Sequence, residues 1–148
     1  MNQTFQGLRL EAVSCVLPDY CTTLEDYAER FGKDIAERYS KVVGIQRTFH
    51  APHGITVTDL VRAAAAPLLE EHRAEIDVLL HVTQTPHLDA PPESCLLQRD
   101  LGLGEHVIAL DINHGCAGFM VALQTAAHFL LHPTVRHVLI CGGDVLSN

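Results

Sequence analysis

The sequence predicts an α/β fold in which a mostly parallel sheet has helices on both faces. Three runs of residues are almost continuously apolar instead of alternating, which is typical of parallel strands that are covered on both sides. These runs are Ile76 to Thr83, Val107 to Ile112 and Val135 to Cys141. Helical patterns separate them, and such an alternation of helix and strand indicates right-handed crossovers between parallel strands.

The first third of the chain predicts one strand and two surface helices. Leu8 to Val16 is rich in β-favouring apolar residues, which predicts a strand. Thr22 and Thr23 precede Leu24-Glu25-Asp26, an N-cap with a carboxylate three residues later, so we expect a helix from there to Phe31. A second helix, Asp34 to Val43, is expected to end at Gly44, because glycine suits the left-handed position after a helix.

Three further helices lie between the apolar runs or beside them. After a predicted loop from Gln46 to Gly54, the pair Thr56 and Asp59 opens a helix from Thr58 to about His72, in which Pro67 predicts a kink. The other elements are a loop with three prolines, a short helix and a long helix with few charges, which we expect to be central and buried. Their bounds are Thr85 to Pro92, Ser94 to Leu101 and Ala117 to Leu131.

Length and charge exclude some function classes. The 148 residues are enough for one compact domain, and 47% hydrophobic with 19% charged residues is an ordinary globular composition. The formal net charge is -8, and the ten Lys and Arg residues are scattered singly, so a phosphate backbone would meet no basic stripe. We therefore expect one domain over residues 1–148 that does not bind nucleic acid.

Neither export nor a membrane span is indicated. Polar Asn2, Gln3 and Gln6 stand where a signal peptide needs a basic flank and an apolar run. Every apolar stretch is well under the ~20 residues that cross a bilayer. The five cysteines include no C-x-x-C pair, so they predict neither a disulfide scaffold nor a zinc site, and a reducing cytoplasm fits them best.

Cys116 is the residue with the strongest chemical signal. It follows the second apolar run after a tight turn and stands at the start of the long helix, where ligands of parallel sheets gather. Unpaired N–H groups and the helix dipole would stabilise its thiolate and lower the thiol pKa. Gly115 and Gly118 flank it, which leaves the backbone open to a thioester, and the Cys116 N–H is placed to donate to an oxyanion.

The alternative is that Cys116 is a small buried hydrophobe, since free cysteine is among the most buried residue types. The other cysteines are interpreted as structural. Cys15, Cys95 and Cys141 lie within apolar strand or helix patterns, and Cys21 lies in a loop.

The run from Asp111 to Phe119, which reads Asp-Ile-Asn-His-Gly-Cys-Ala-Gly-Phe, resembles the active-site segment of the β-ketoacyl-acyl carrier protein synthase III family. Three other segments resemble family motifs in the same order: Gly44 to Arg47, the threonine and proline loop Thr83 to Pro92, and Gly142 to Val145. The likeness as a whole covers Leu8 to Asn148, and four ordered matches make chance agreement improbable.

The resemblance implies a thiolase-like fold, of which this chain would be the amino-terminal half, with a mostly parallel five-stranded sheet. It implies that Cys116 takes an acyl group from a coenzyme A or acyl carrier protein thioester and then condenses it with a malonyl thioester. The family's catalytic histidine and asparagine belong to the second half, which this chain would lack. A homodimer or a pairing with that half is implied, and no cofactor or metal.

The resemblance also names candidate substrate-binding residues: Arg38, Arg47, Ala90, Gly115, Gly118 and Phe119. Two of them depart from the family. Arg38 stands where many members have a tryptophan that stacks on the adenine of coenzyme A, although arginine can also stack on a base. Ala90 stands where a bulky aromatic often closes the acyl pocket of the neighbouring subunit, which predicts an acyl chain longer or bulkier than acetyl.

The histidines and Asp111 carry weaker signals. His128 and His132 are four residues apart on one helix, but without a third ligand at suitable spacing we expect no metal site. His114 lies two residues before Cys116, and we expect its side chain to point away from the thiol. We interpret Asp111 as a strand-end hydrogen-bonding residue. Four other histidines are expected in loops or at strand ends: His50, His53, His81 and His87.

Three functions remain open on the sequence. The first is a condensing acyl-thioester transferase present as its first half. The second is acyl transfer to an alcohol or amine in secondary metabolism. The third is a non-catalytic thiolase-fold subunit that serves as a dimer partner or scaffold, a role that the retention of Cys116 disfavours.

Overall fold

The computed structural model describes residues 4–72 and 75–146, which form two compact units. The first unit comprises residues 4–16 with 56–144, and the second comprises residues 17–55 with 145–146. The ends of the predicted half-domain 1–148 lie outside the described residues. Within the described ranges no helix is long and apolar enough to cross a membrane.

The elements of the described residues include five strands, five α-helices and a 3-10 turn before the last helix. In chain order they are β1 (Cys21–Thr23), α1 (Leu24–Phe31), α2 (Lys33–Val43), β2 (Arg47–Phe49), α3 (Val57–His72), β3 (Val78–Val82), α4 (Glu93–Asp100), β4 (Ile108–Ile112), the 3-10 turn Gly115–Ala117, α5 (Gly118–Phe129) and β5 (Val138–Gly142). The predicted alternation of helix and strand in the later part of the chain is confirmed.

A three-stranded parallel sheet forms the centre of the first unit, in the order β4-β3-β5. Leu80 in β3 is paired with Leu110 in β4 and with Ile140 in β5. The continuous apolar pattern is explained for β3, because Val78, Leu79 and Leu80 are all fully buried. The predicted parallel sheet and the α/β class are therefore confirmed.

Helices pack on both faces of this sheet. On one face Ala122 and Ala126 of α5 pack against Val78 and Leu80 of β3. Because side chains alternate along a strand, Leu79 and His81 point to the opposite face. There α4 contacts β3 and β4, and α3 contacts α4 and β5.

The prediction that β4 is covered on both faces is wrong for the described residues. Ile108 and Leu110 are 46% and 40% exposed. They are paired with Val78 and Leu80 and so face the α5 side of the sheet. Ala122 and Ala126 of α5 lie over β3, and they leave these side chains of the edge strand β4 partly uncovered.

The predicted five-stranded sheet is replaced by two sheets in the described residues. Besides the parallel sheet, β1 and β2 form an antiparallel pair in which Cys21 is paired with Phe49. The predicted loop Gln46 to Gly54 therefore contains a strand, which a three-residue pattern is too short to reveal. The predicted strand Leu8 to Val16 is wrong, because this segment has no regular secondary structure and joins no ladder.

The two predicted helices of the second unit are confirmed, and α2 begins at Lys33, one residue earlier than predicted. The Thr23 side chain accepts a hydrogen bond from the N–H of Asp26, and the Asp26 carboxylate accepts one from the N–H of Thr23. This capping box begins α1. Gly44 ends α2 at a φ of 78°, a left-handed conformation that favours glycine.

A second capping box, formed by Thr56 and Asp59, begins α3 in the first unit. The N–H and the hydroxyl of Thr56 donate to the Asp59 carboxylate, which lowers the pKa of that carboxyl below its usual value. The helix then continues through Pro67 to His72. The kink at Pro67 stays a prediction.

The capping box at Asp59 predicts a pH-dependent contribution to the stability of the fold. Because folding lowers the Asp59 pKa, the stabilisation is present above the unfolded-state pKa of about 3.9 and is lost as the pH falls through the lower folded-state value. We expect Asp59→Ala to lower the free energy of unfolding by about 1 kcal/mol at pH 7 and by less near pH 2.5. Urea unfolding at both pH values measures this difference. Asp19→Ala, at an exposed carboxylate, is the control, and an equal cost at both pH values contradicts the assignment.

Candidate active site

Cys116 lies in the short connection between β4 and α5. The chain leaves β4 at Ile112 and enters the 3-10 turn Gly115–Ala117, which leads directly into α5. Gly115 has a φ of 54°, so this turn needs a residue that adopts the left-handed region without strain. The predicted order of strand, glycine, cysteine and helix is present. Cys116 lies in the 3-10 turn, two residues before α5 begins at Gly118.

The Cys116 side chain is exposed and lines a cavity of about 480 Å³. Gly115 and Phe119 line the same cavity, so the structure brings these three predicted site residues together. Most of the other lining side chains are apolar. They include Leu10, Val13, Leu68, Val82, Leu123, Leu139 and Ile140, with Gln84 and Asp144 among the polar ones.

Gly118 has a packing role in addition to its predicted one. It is buried, and a Cβ placed on it would lie 2.8 Å from Cγ1 of Val82 in β3. That distance is closer than packed atoms allow, so the absence of a side chain brings the start of α5 against the sheet. Its predicted contact with a substrate stays a prediction.

A carboxylate after β5 holds the residues that follow β3. Asp144 Oδ1 accepts hydrogen bonds from the Gln84 N–H at 2.6 Å and from the Thr83 hydroxyl at 3.1 Å. Asp144 Oδ2 accepts a hydrogen bond from Gln84 Nε2 at 3.1 Å. Sequence reasoning placed Asp144 in a family turn without assigning it a partner, since the residues it joins lie sixty positions earlier.

A buried histidine and glutamate pair was missed by sequence reasoning. His81 and Glu93 are 0% and 1% exposed, and His81 Nε2 lies 3.2 Å from Glu93 Oε2. The other oxygen, Glu93 Oε1, accepts from the His87 N–H at 2.7 Å and also contacts His87 Nδ1. A charged residue at the start of a short helix is a common surface pattern, so the sequence contained no signal for this burial.

Asp111 has the role of strand-end hydrogen-bonding residue that the sequence predicts. Its two carboxylate oxygens accept hydrogen bonds from the N–H groups of Glu93 and Ser94, at 2.9 and 2.7 Å. It therefore caps the first turn of α4, where backbone N–H groups have no helical partner.

The remaining predicted substrate-binding residues lie elsewhere. Ala90 is exposed in the loop between β3 and α4 and precedes a cis peptide bond to Pro91. Arg38 in α2 and Arg47 in β2 are exposed and belong to the second unit. The substrate contacts of all three stay predictions.

The other histidines do not form a metal site among the described residues, where no group of three suitable ligands occurs. His128 Nδ1 lies 2.7 Å from the Gln124 carbonyl oxygen, and His132 Nδ1 lies 2.9 Å from the Thr134 hydroxyl. His114 is exposed, and its carbonyl accepts from the N–H of Ala117.

The exposure of the cysteines differs in part from what the sequence predicts. Cys141 in β5 is buried, as expected, and burial raises the pKa of its thiol to about 12. The prediction is wrong for Cys15 and Cys95, which are exposed. Cys95 lies on the outer side of α4, whose buried positions are Glu93, Ser94 and Leu97.

The contact at Gly118 predicts a paired substitution effect. We expect Gly118→Ala to lower the free energy of unfolding by about 1–2 kcal/mol, because the added Cβ overlaps the stiff Val82 side chain. In the double variant with Val82→Ala the cost of the Gly118 change is expected to vanish. Chemical unfolding of the single and double variants measures this coupling. Additive effects of the two substitutions would contradict the proposed contact.

The buried Glu93 predicts a large stability effect at a residue outside the cavity. Glu93→Ala leaves the ring of His81 and the N–H of His87 without their acceptor, which we expect to cost about 2–4 kcal/mol. The control is Glu37→Ala, since that carboxylate is 70% exposed beside Lys41 and is expected to contribute at most about 0.5 kcal/mol. Urea unfolding compares the two variants, and equal small losses would show that the buried pair does not stabilise the fold.

Comparisons with known proteins agree with the resemblance found in the sequence. The family model of 3-oxoacyl-(acyl-carrier-protein) synthase III matches residues 110–148, the part that contains Cys116. The chain is 37% identical over 145 residues to a β-ketoacyl-(acyl-carrier-protein) synthase III of Rhodopirellula baltica, covering 96% of this chain and 41% of that relative. The chain thus spans about two fifths of the length of this curated relative.

Solved structures show the same fold. A 3-oxoacyl-(acyl-carrier-protein) synthase III from Aquifex aeolicus is similar with a TM-score of 0.78 and 28% identity, over 91% of this chain and 44% of the other. OleA from Xanthomonas campestris, at 18% identity and a TM-score of 0.74 over 88% of this chain and 41% of the other, shares the fold alone. The thiolase-like architecture is therefore confirmed, and so is the predicted resemblance of this chain to the 3-oxoacyl-(acyl-carrier-protein) synthase III family.

Proposed function

We propose that Cys116 takes an acyl group from a thioester and that the complete protein condenses this group with a malonyl thioester. The observation that carries the proposal is the exposed thiol in the turn before α5, at the wall of a cavity of about 480 Å³. Cavities of about 300–1,000 Å³ with mostly apolar walls are typical of small-molecule sites. The apolar side chains beside Cys116 suit the hydrocarbon part of an acyl chain.

The chemistry follows from the nucleophile. The Cys116 thiolate attacks the thioester carbonyl, the carbonyl electrons pass to oxygen, and the N–H of Cys116 donates to that oxyanion. Collapse of the intermediate expels the donor thiolate, which takes a proton, and leaves the acyl group on Cys116. Loss of carbon dioxide from a malonyl thioester then supplies the carbanion that attacks the acyl group and releases the cysteine.

The partners of this reaction are also proposals. The relatives are named for an acyl carrier protein. We infer an acyl carrier protein or coenzyme A thioester as donor, a cytoplasmic location, and fatty acid or secondary metabolite biosynthesis as the setting. The histidine and asparagine implied by the family would come from a carboxyl-terminal half or from a separate chain, and the exposed apolar side chains Ile108, Leu110 and Met120 favour a partner or a second copy.

The proposal predicts selective acylation of Cys116. With acyl-coenzyme A or acyl carrier protein thioesters at pH 8 to 8.5, we expect one acyl group on Cys116, because its exposed thiol lines a cavity large enough for a small molecule. Because Ala90 replaces a bulky residue, we expect chains longer than acetyl to be accepted. Intact mass and site-resolved peptide mass spectrometry measure the adduct.

Two variants control this experiment. Cys116→Ala is expected to abolish the adduct, and Cys95→Ala, at another exposed cysteine, to leave it unchanged. Equal acylation of Cys95 and Cys116 would overturn the nucleophile assignment and favour a scaffold. In the complete protein, release of carbon dioxide from a malonyl thioester would support condensation. Acyl transfer without decarboxylation would instead support an alcohol or amine as the acceptor.

A further inference from the structure

We propose that Gln84, oriented by Asp144, is a specificity-determining residue of the Cys116 cavity that favours substrates with a hydrogen-bond donor near the thioester. The donor is a hydroxyl or amide N–H, carried either by the acyl group or by the thiol arm. This inference rests on the proposed acylation of Cys116, and it adds the class of substrate that the cavity selects.

Two residues at the carboxyl end of the sheet create this feature. Gln84 lies two positions after β3 and Asp144 two positions after β5, which are neighbouring parallel strands. Both side chains line the cavity that contains Cys116. The Gln84 N–H and Nε2 each donate to a different oxygen of the Asp144 carboxylate, at 2.6 and 3.1 Å.

The carboxylate determines which way the Gln84 amide faces. An ionised carboxylate only accepts hydrogen bonds, so the nitrogen of the amide must face Asp144 and the oxygen must face away. Gln84 Oε1 lies 3.8 Å from the position of a Cβ on Gly115, the residue before the nucleophile. Among the described residues none donates a hydrogen bond to this oxygen.

An oriented acceptor therefore lies near Gly115 in the cavity that Cys116 also lines, where most of the wall is apolar. Val82, Phe119 and Leu123 offer no hydrogen bond to a ligand. The other polar side chains of the wall belong to Ser14 and to Asp144, whose carboxylate already accepts from Gln84, so a donor near Gly115 finds an acceptor at Gln84 Oε1. A carbonyl or ester oxygen at the same place would meet another acceptor. We expect a preference of about threefold to tenfold for the donor, the range that one net hydrogen bond supplies.

A pair of alkylating reagents tests the orientation without any acyl transfer. Iodoacetamide and methyl iodoacetate have the same reacting carbon and similar size, but the first carries N–H donors and the second has none. Peptide mass spectrometry gives the rates at Cys116 and, in the same sample, at the exposed Cys95 as the internal reference. We expect the ratio of iodoacetamide to methyl iodoacetate rates to be about threefold to tenfold higher at Cys116 than at Cys95.

Substitution of Asp144 gives the sharpest outcome. In Asp144→Asn the oxygen still accepts from the Gln84 N–H, while the new NH₂ donates to Oε1 and turns the Gln84 amide over. The cavity then presents N–H groups, and we expect the Cys116 preference to fall to that of Cys95 or below it. Gln84→Leu is expected to abolish the preference without reversing it.

A matched control separates this effect from a general loss of structure. Asp26→Asn changes a carboxylate that also accepts from a threonine N–H and hydroxyl, but in the second unit, and is expected to leave the ratio unchanged. Cys141 reports folding in every variant, since its buried thiol is expected to stay unlabelled in the native chain. An unchanged ratio in Asp144→Asn with Cys141 protected would overturn the proposal, as would equal ratios at Cys116 and Cys95 in the unsubstituted chain.

Thioesters then distinguish the source of the donor and test the proposed function separately. Faster acylation by S-ethyl 3-hydroxybutanethioate than by S-ethyl butanethioate assigns the donor to the acyl group. Faster acylation by the N-acetylcysteamine ester than by the ethyl ester of butanethioic acid assigns it to the thiol arm. If no thioester reacts while the alkylation preference persists, the acyl transfer fails and the Gln84 assignment stands; acylation without either preference overturns the assignment.

Discussion

The close approach of α5 to β3 is the constraint on which the candidate site depends. Gly118 stands where a Cβ would meet Val82 at 2.8 Å, and the alanine face at Ala122 and Ala126 continues the contact along the strand. Small residues let the helix axis lie near the sheet, so the turn before the helix is held at the carboxyl end of the strands. Cys116 occupies that turn, and its exposure to the cavity is a consequence of where α5 begins.

Carboxylates organise the same edge of the sheet. Asp111 at the end of β4 caps α4, and Asp144 after β5 holds the residues that follow β3. Glu93 adds a buried partner for His81 and an acceptor for the loop at His87. Backbone N–H groups at strand ends and helix starts have no partner in regular structure, and these side chains supply one. The loops around the cavity are therefore joined to the sheet by hydrogen bonds as well as by apolar packing.

The family assignment and the local geometry support different parts of the functional argument. The family rests on the run around Cys116 together with relatives that match nearly all of this chain. Those relatives are more than twice as long as this chain, so the activity of a whole protein of that length is a proposal. The cavity beside Cys116, with its mostly apolar walls and the oriented amide of Gln84, belongs to the described residues and is the observation on which the proposed acylation rests.

The sequence by itself determined the class of the fold, the three parallel strands, the helix caps at Thr23 and Gly44, and the position of Cys116 between strand and helix. These features follow from local patterns: apolar runs, capping spacings and glycine at a required conformation. Only the tertiary structure decided that β4 is an exposed edge, that Leu8 to Val16 forms no strand, and that Glu93 is buried against His81. The reason is that exposure and pairing depend on which distant segments pack together, such as Gln84 with Asp144, and no local pattern records those contacts.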